Sequence, residues 1–193
     1  MIDRFPSTPR LRAARRASLA GALIAGLALA PGTAQAQSDQ SITTRVGLID
    51  PLTITKLSDM DFGDIIGPNA GTIVLTPTAT PSCTATGGLV HTAECQPATF
   101  GGYGPTNARV RVRRPIGNTI TLTGPGADMT VTNITINGDP DLTPVRSNPN
   151  WERFRIARAD GTFIFRVGGT LNVNANQAPG LYTGTFEIRL DYQ

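Results

Sequence analysis

The residues able to do chemistry are few and widely spaced. Cys83 and Cys95 are the only cysteines, and His91, the only histidine, stands between them. Two sulfurs and one imidazole fall one ligand short of a closed zinc site. The simpler reading is a disulfide that closes a stretch poor in apolar side chains, with His91 an exposed loop residue. Such a bridge would contribute roughly 3 kcal/mol by limiting the unfolded chain. Asp59, Asp61 and Asp64 have a spacing that suggests calcium ligands, but the run lacks the glycine and distal glutamate of an EF-hand loop and reads as a solvated turn. Asp139 and Asp141, either side of Pro140, have the same plain reading. Arg109, Arg111 and Arg113, with Arg114, form a cationic row. It could meet an acidic glycan or a lipid head group, although such rows usually serve as a soluble outer face.

Catalysis finds little support. Glu94, Glu152 and Glu187 are carboxylates that could meet partners in space, but there is no nucleophile elbow, metalloprotease helix, P-loop or dinucleotide fingerprint. The expectation is a protein that is not an enzyme, with no catalytic or metal residues and no cofactor.

The elements that would position these residues are strands. Ile42 to Ile54 alternates but is interrupted by Pro51, which predicts an edge strand or one that breaks there. Met60 and Phe62 are candidates to point inward, and residues 72–76 read as a short buried strand. Residues 77–105, rich in Thr, Pro, Gly and Ala, predict an irregular excursion. Strands follow at 108–113, 119–122 and 129–136, then turn chemistry at 137–141 and a polar stretch without period to Asn150. Residues 151–156 alternate again, and Asp160-Gly161 signals a hairpin into a strand over 162–173, with Gly168-Gly169 as a bulge. The last run, 180–193, places Tyr182, Phe186, Ile188, Leu190 and Tyr192 on one parity and Thr183, Thr185, Glu187, Arg189 and Asp191 on the other. That is the period of a long strand with one face in a core. No ten-residue stretch after residue 36 has helical periodicity, so the fold class is all-β, an antiparallel sandwich.

Residues 1–36 are set apart from this fold. Five arginines, an uncharged apolar run over 19–30 and Ala34-Gln35-Ala36 are expected to be a secretory signal, leaving residues 37–193 as a single sandwich domain with the excursion around 77–105. The apolar run is too short for a transmembrane anchor. The whole chain carries a net charge of +3, but five of its seventeen basic residues lie in that leader against the single acid Asp3. What remains is close to neutral, so charge gives no warrant for a nucleic-acid partner.

Two sets of residues carry a family likeness: residues 51–56 with Met60-Asp61-Phe62-Gly63, and residues 165–173 with 177–186. Together they resemble the bacterial domain-of-unknown-function family 4402, secreted pilin-like proteins distantly similar to spore coat U and chaperone-usher fimbrial subunits. The resemblance implies an immunoglobulin-like sandwich, secreted to the periplasm, cell surface or extracellular space. It further implies a pilin-like structural subunit or adhesin domain, non-enzymatic, that assembles by β-strand addition. Partners would be copies of itself or related subunits and a periplasmic chaperone. Carried over by position, Gly180, Tyr182, Phe186, Ile188, Leu190 and Tyr192 form the strand-assembly face, and Ile42, Val46 and Leu48 belong to the candidate donor strand. The competing expectation is a monomeric secreted module that binds glycan or another surface ligand.

Overall fold

The computed structural model describes residues 50–193 of the chain. The expected leader, 1–36, and the candidate donor residues Ile42, Val46 and Leu48 lie outside the described residues.

The fold is built around one strand. β12 (Thr162–Val173) alternates so regularly that Phe163, Phe165, Val167, Leu171 and Val173 are all buried. It is long enough to pair with three partners. β6 (Ala98–Tyr103) takes Thr162 to Val167, β3 (Gly71–Leu75) takes Gly169 to Val173, and β9 (Met129–Asn137) takes Arg166 to Asn172. Because Arg166 and Val167 pair with both β6 and β9, and Thr170 to Asn172 with both β3 and β9, β6 and β3 share one edge of β12 in tandem. The expected bulge at Gly168-Gly169 is present as a register shift against β9. Glycine is required there: a Cβ on Gly168 would meet the Leu75 carbonyl, and one on Gly169 would lie 2.9 Å from Val131. β1 (Thr53–Ser58) adds to β6, β4 (Cys83–Ala85) to β3, and β8 (Ile120–Leu122) to β9, completing a seven-stranded antiparallel sheet.

The second layer has four antiparallel strands in the order β10 (Leu142–Asn148), β11 (Trp151–Ile156), β7 (Arg109–Arg113) and β13 (Arg189–Tyr192). Val110, Val112, Phe154, Ile156 and Leu142 from this sheet join Ile73, Leu75, Val131, Ile134 and the β12 side chains in one hydrophobic core. Phe100 stacks on Phe165 with ring centroids 5.1 Å apart. Burying side chains of this size contributes about 1.5–3 kcal/mol each before entropy is charged against it. β2 (Asp64–Ile66) and β5 (Val90–Thr92) form a separate two-stranded ladder, with Ile65 packed against the core. Phe62 is buried and Met60 packs on the core, as the alternation predicts.

Four expectations are corrected. Residues 77–105 are not an irregular excursion throughout, since they contain β4, β5 and the central strand β6. β6 reads poorly because its neighbours fill the space its own side chains would take: a Cβ on Gly102 would strike the Phe163 ring, and one on Gly101 would lie 3.1 Å from Leu57. The polar stretch before Asn150 is the edge strand β10, whose side chains from Thr143 to Ser147 are exposed. Asp160-Gly161 does not close a hairpin, because β11 and β12 belong to different sheets and the turn carries the chain between layers. The terminal run is a strand only over Arg189–Tyr192, where β7 is available to pair with it. Over 184–188 the described residues offer it no ladder partner, and Thr183 makes a single bridge to Thr123 beyond β8.

A candidate assembly edge

The C-terminal segment is pinned at its top and open along one side. Gly180, at φ 146°, lies against Pro125, and Tyr182 drops over Gly124 and Gly126 where any Cβ would collide with it. The Tyr182 hydroxyl donates to the Ala178 carbonyl at 2.9 Å and accepts from the Gly126 amide at 3.1 Å and from Gln177 Nε2 at 2.8 Å. Gly180 and Tyr182 therefore anchor the segment rather than line a groove. Gly184 presses on the Thr121 carbonyl.

Below that anchor, Phe186, Ile188, Leu190 and Tyr192 all face the core, as the alternation predicts, but each is only half-buried. β13 lies at the edge of its sheet. Its residue Leu190 pairs with Val112 and Tyr192 with Val110, and the Gln193 amide donates to the Arg109 carbonyl at 3.0 Å. Antiparallel geometry then turns the backbone groups of Leu190 and Tyr192 toward the other edge, where no described strand receives them. At the foot of this edge the Tyr192 hydroxyl donates to the Asp50 carbonyl at 2.7 Å. Burial, followed by the charge of Asp50, pushes the Tyr192 hydroxyl above its ordinary pKa. The chain leading into β1 therefore meets the end of β13.

On the solvent side, Asp191 accepts from Arg113 Nε at 2.6 Å and lies 3.6 Å from Arg111, and the Arg113 hydrogen bond holds its carboxyl below the usual carboxylate range. Arg114 does not belong to the row. It is buried, donates to the Ile134 carbonyl at 2.9 Å and pairs with Glu152 at 3.0 Å. Burial raises the Glu152 carboxyl, against the opposing pull of Arg114.

The remaining candidates fall elsewhere. Cys83 and Cys95 are joined as a disulfide, with Cα atoms 6.2 Å apart. Their Sγ atoms and a His91 ring nitrogen lie within 4.8 Å of one another, but the S–S bond removes both thiolates that a metal would need. His91 is not an exposed loop residue: it is half-buried on β5, and its Nε2 bonds the Phe62 carbonyl at 2.8 Å. Two of the three calcium-spaced acids have local partners, Asp59 with Lys56 at 2.6 Å and Asp61 with the Gly63 amide at 2.9 Å. Asp141 is not a solvated turn residue. It is buried, takes the Ile164 amide at 2.9 Å and faces Arg158 at 3.5 Å, a role no local pattern announces.

Among the described residues no helix is long and apolar enough to cross a membrane. No curated protein and no solved structure matches the chain. The family described as Domain of unknown function (DUF4402) matches residues 52–192, which take in every strand of both sheets, and the chain belongs to that family.

Proposed function

We propose that this chain is a non-enzymatic, exported cell-surface protein, a pilin-like subunit or adhesin domain that assembles by β-strand addition along β13. The observation that supports this reading is a strand at a sheet edge whose inward side chains, Leu190 and Tyr192, remain half-buried, as do Phe186 and Ile188 in the unpaired run that leads into it. An added strand would pair with the outward backbone groups, taking the Tyr192 carbonyl over from Gln193 Nε2, and complete the burial of those side chains in a single step. The segment before Asp50, with Ile42, Val46 and Leu48, is the donor favoured by position, because the chain arrives at β13 through the Tyr192 contact with Asp50. The disulfide accords with an oxidising compartment.

The test is a gel of the exported protein with and without boiling, together with electron microscopy of cells, for the full chain and for a deletion of residues 38–49. Heat-sensitive ladders and fibres from the full chain, and a folded monomer from the deletion, are expected. A lone monomer from the full chain, or a deletion that alters neither stability nor assembly, would remove strand addition from consideration.

A further inference from the structure

Seven of the eleven lysines and arginines in residues 50–193 lie on one surface, the outer face of the four-stranded sheet. Register puts them there in opposed pairs. Arg111 stands across from Arg153, and Arg109 across from Arg155. Arg146 faces Arg153 from β10, and Arg113 faces Arg189 on β13. Like charges directly opposite one another destabilise a sheet, so four such contacts on one face ask for a reason other than folding. A face serving solubility alone is better made from lysine or from mixed signs. This face has no lysine, and its acids, Asp191 and Glu187, are already taken by Arg113 and Arg189 at its β13 side.

The central guanidinium groups are held ready. Arg153 lies over the Trp151 ring, 5.0 Å from its centroid, and donates to Gln193 Oε1 at 2.8 Å. The Nε atoms of Arg111 and Arg153 are shielded from solvent and have no acceptor among the described residues. Strand spacing sets the rows about 4.8 Å apart, with a repeat of about 6.8 Å along each strand.

We propose that this face binds an acidic polysaccharide, with guanidinium forks taking carboxylates from successive sugars. A flat array of arginines suits a polymer that carries one anionic group after another. A membrane surface would call for protruding apolar side chains beside the charge, and the three strands that carry the opposed central pairs' neighbours offer Val145 alone. Single-stranded nucleic acid would call for bare aromatic rings on which bases stack, whereas Trp151 is half-buried and covered by Arg153. The opposed central pairs lie on β7 and β11, inside the sheet and away from the free edge of β13, so this binding does not depend on strand addition.

The test is affinity electrophoresis of the exported protein through gels containing alginate, with neutral dextran as reference. Vesicles of phosphatidylglycerol and phosphatidylcholine and a single-stranded oligonucleotide serve as competing probes. Alginate is expected to retard the protein, and added salt to weaken the effect by screening. The double variants Arg109→Gln/Arg155→Gln and Arg111→Gln/Arg153→Gln should weaken binding at least about tenfold, since each lost charge-assisted contact contributes a factor of that order. Arg166→Gln, which removes the same charge from β12, should leave retardation unchanged. Relief of the opposed charges predicts melting temperatures equal to or above the parent's, so loss of binding would not be loss of fold. No retardation by alginate, equal weakening by Arg166→Gln, or stronger binding to the vesicles or the oligonucleotide would overturn the proposal.

Discussion

β12 and the C-terminal segment have the same alternation and different surroundings. Val167 and Leu171 are at most 2% exposed where β12 is paired on both edges, and Phe163 and Phe165, paired with β6 alone, are at most 1% exposed within the core between the two sheets. Phe186, Ile188, Leu190 and Tyr192 point to the same core, yet their segment is laddered over four residues and on one edge only. A period of two tells which side of a strand is apolar. Whether that side is covered depends on neighbours that lie far away in sequence.

Substitutions can break or sharpen this contrast. Phe165→Ala should be the most damaging, costing about 3–5 kcal/mol, as for a large side chain removed from a closed core, and denaturant titration of the purified protein measures it. The disulfide region stands between the two cases, since Cys83 and Cys95 pack on the core only in part. Cys83→Ser should cost up to about 3 kcal/mol and leave both sheets formed by circular dichroism. Alkylation of the parent protein should find no free thiol before reduction. Ile188→Ala should cost about 1–2 kcal/mol in the monomer, well below the range for a fully buried site. If it matched Phe165→Ala, the segment would already be closed and the strand-addition reading would lose its support.

The smallest effect belongs to the outer side of the same strand. The Asp191 carboxyl titrates below its unfolded value when folded, so its stabilising contribution is complete above the unfolded pKa of about 3.9 and fades as pH falls through the lower folded value. Asp191→Asn should therefore lower stability at neutral pH by less than about 1 kcal/mol, as for an exposed pair. The difference between parent and variant should shrink as the pH falls below about 4, which thermal melts across pH 3 to 7 would show.

Much of this architecture was legible in the sequence. β7, β9, β11 and β12 were plain from alternation, and the all-β class followed from the lack of any helical period. β6 was hidden because Gly101 and Gly102 yield their space to Leu57 and Phe163, so that a strand central in the sheet has the composition of a loop. β10 was hidden for the opposite reason: exposed at a sheet edge, it has no apolar face to alternate. At the candidate edge, the identities of the inward residues were readable, but their half-burial was not, because it depends on where β7 ends. The arginine face shows the same limit. A row of three was visible on β7, but its doubling by Arg153 and Arg155 depends on the register between strands.

The tandem seating of β6 and β3 on one edge of β12 also bears on the order of events as the chain folds. Val173 pairs with Gly71 and Thr162 with Tyr103, so both earlier strands wait for a partner near the end of the chain. Contacts of such long sequence separation must overcome loop-closure entropy before they gain anything, and domains rich in them fold in milliseconds to seconds rather than microseconds. Until β12 is in place, β6 and β3 have β1 and β4 for company but no shared sheet, and their apolar faces stay open to any other strand nearby.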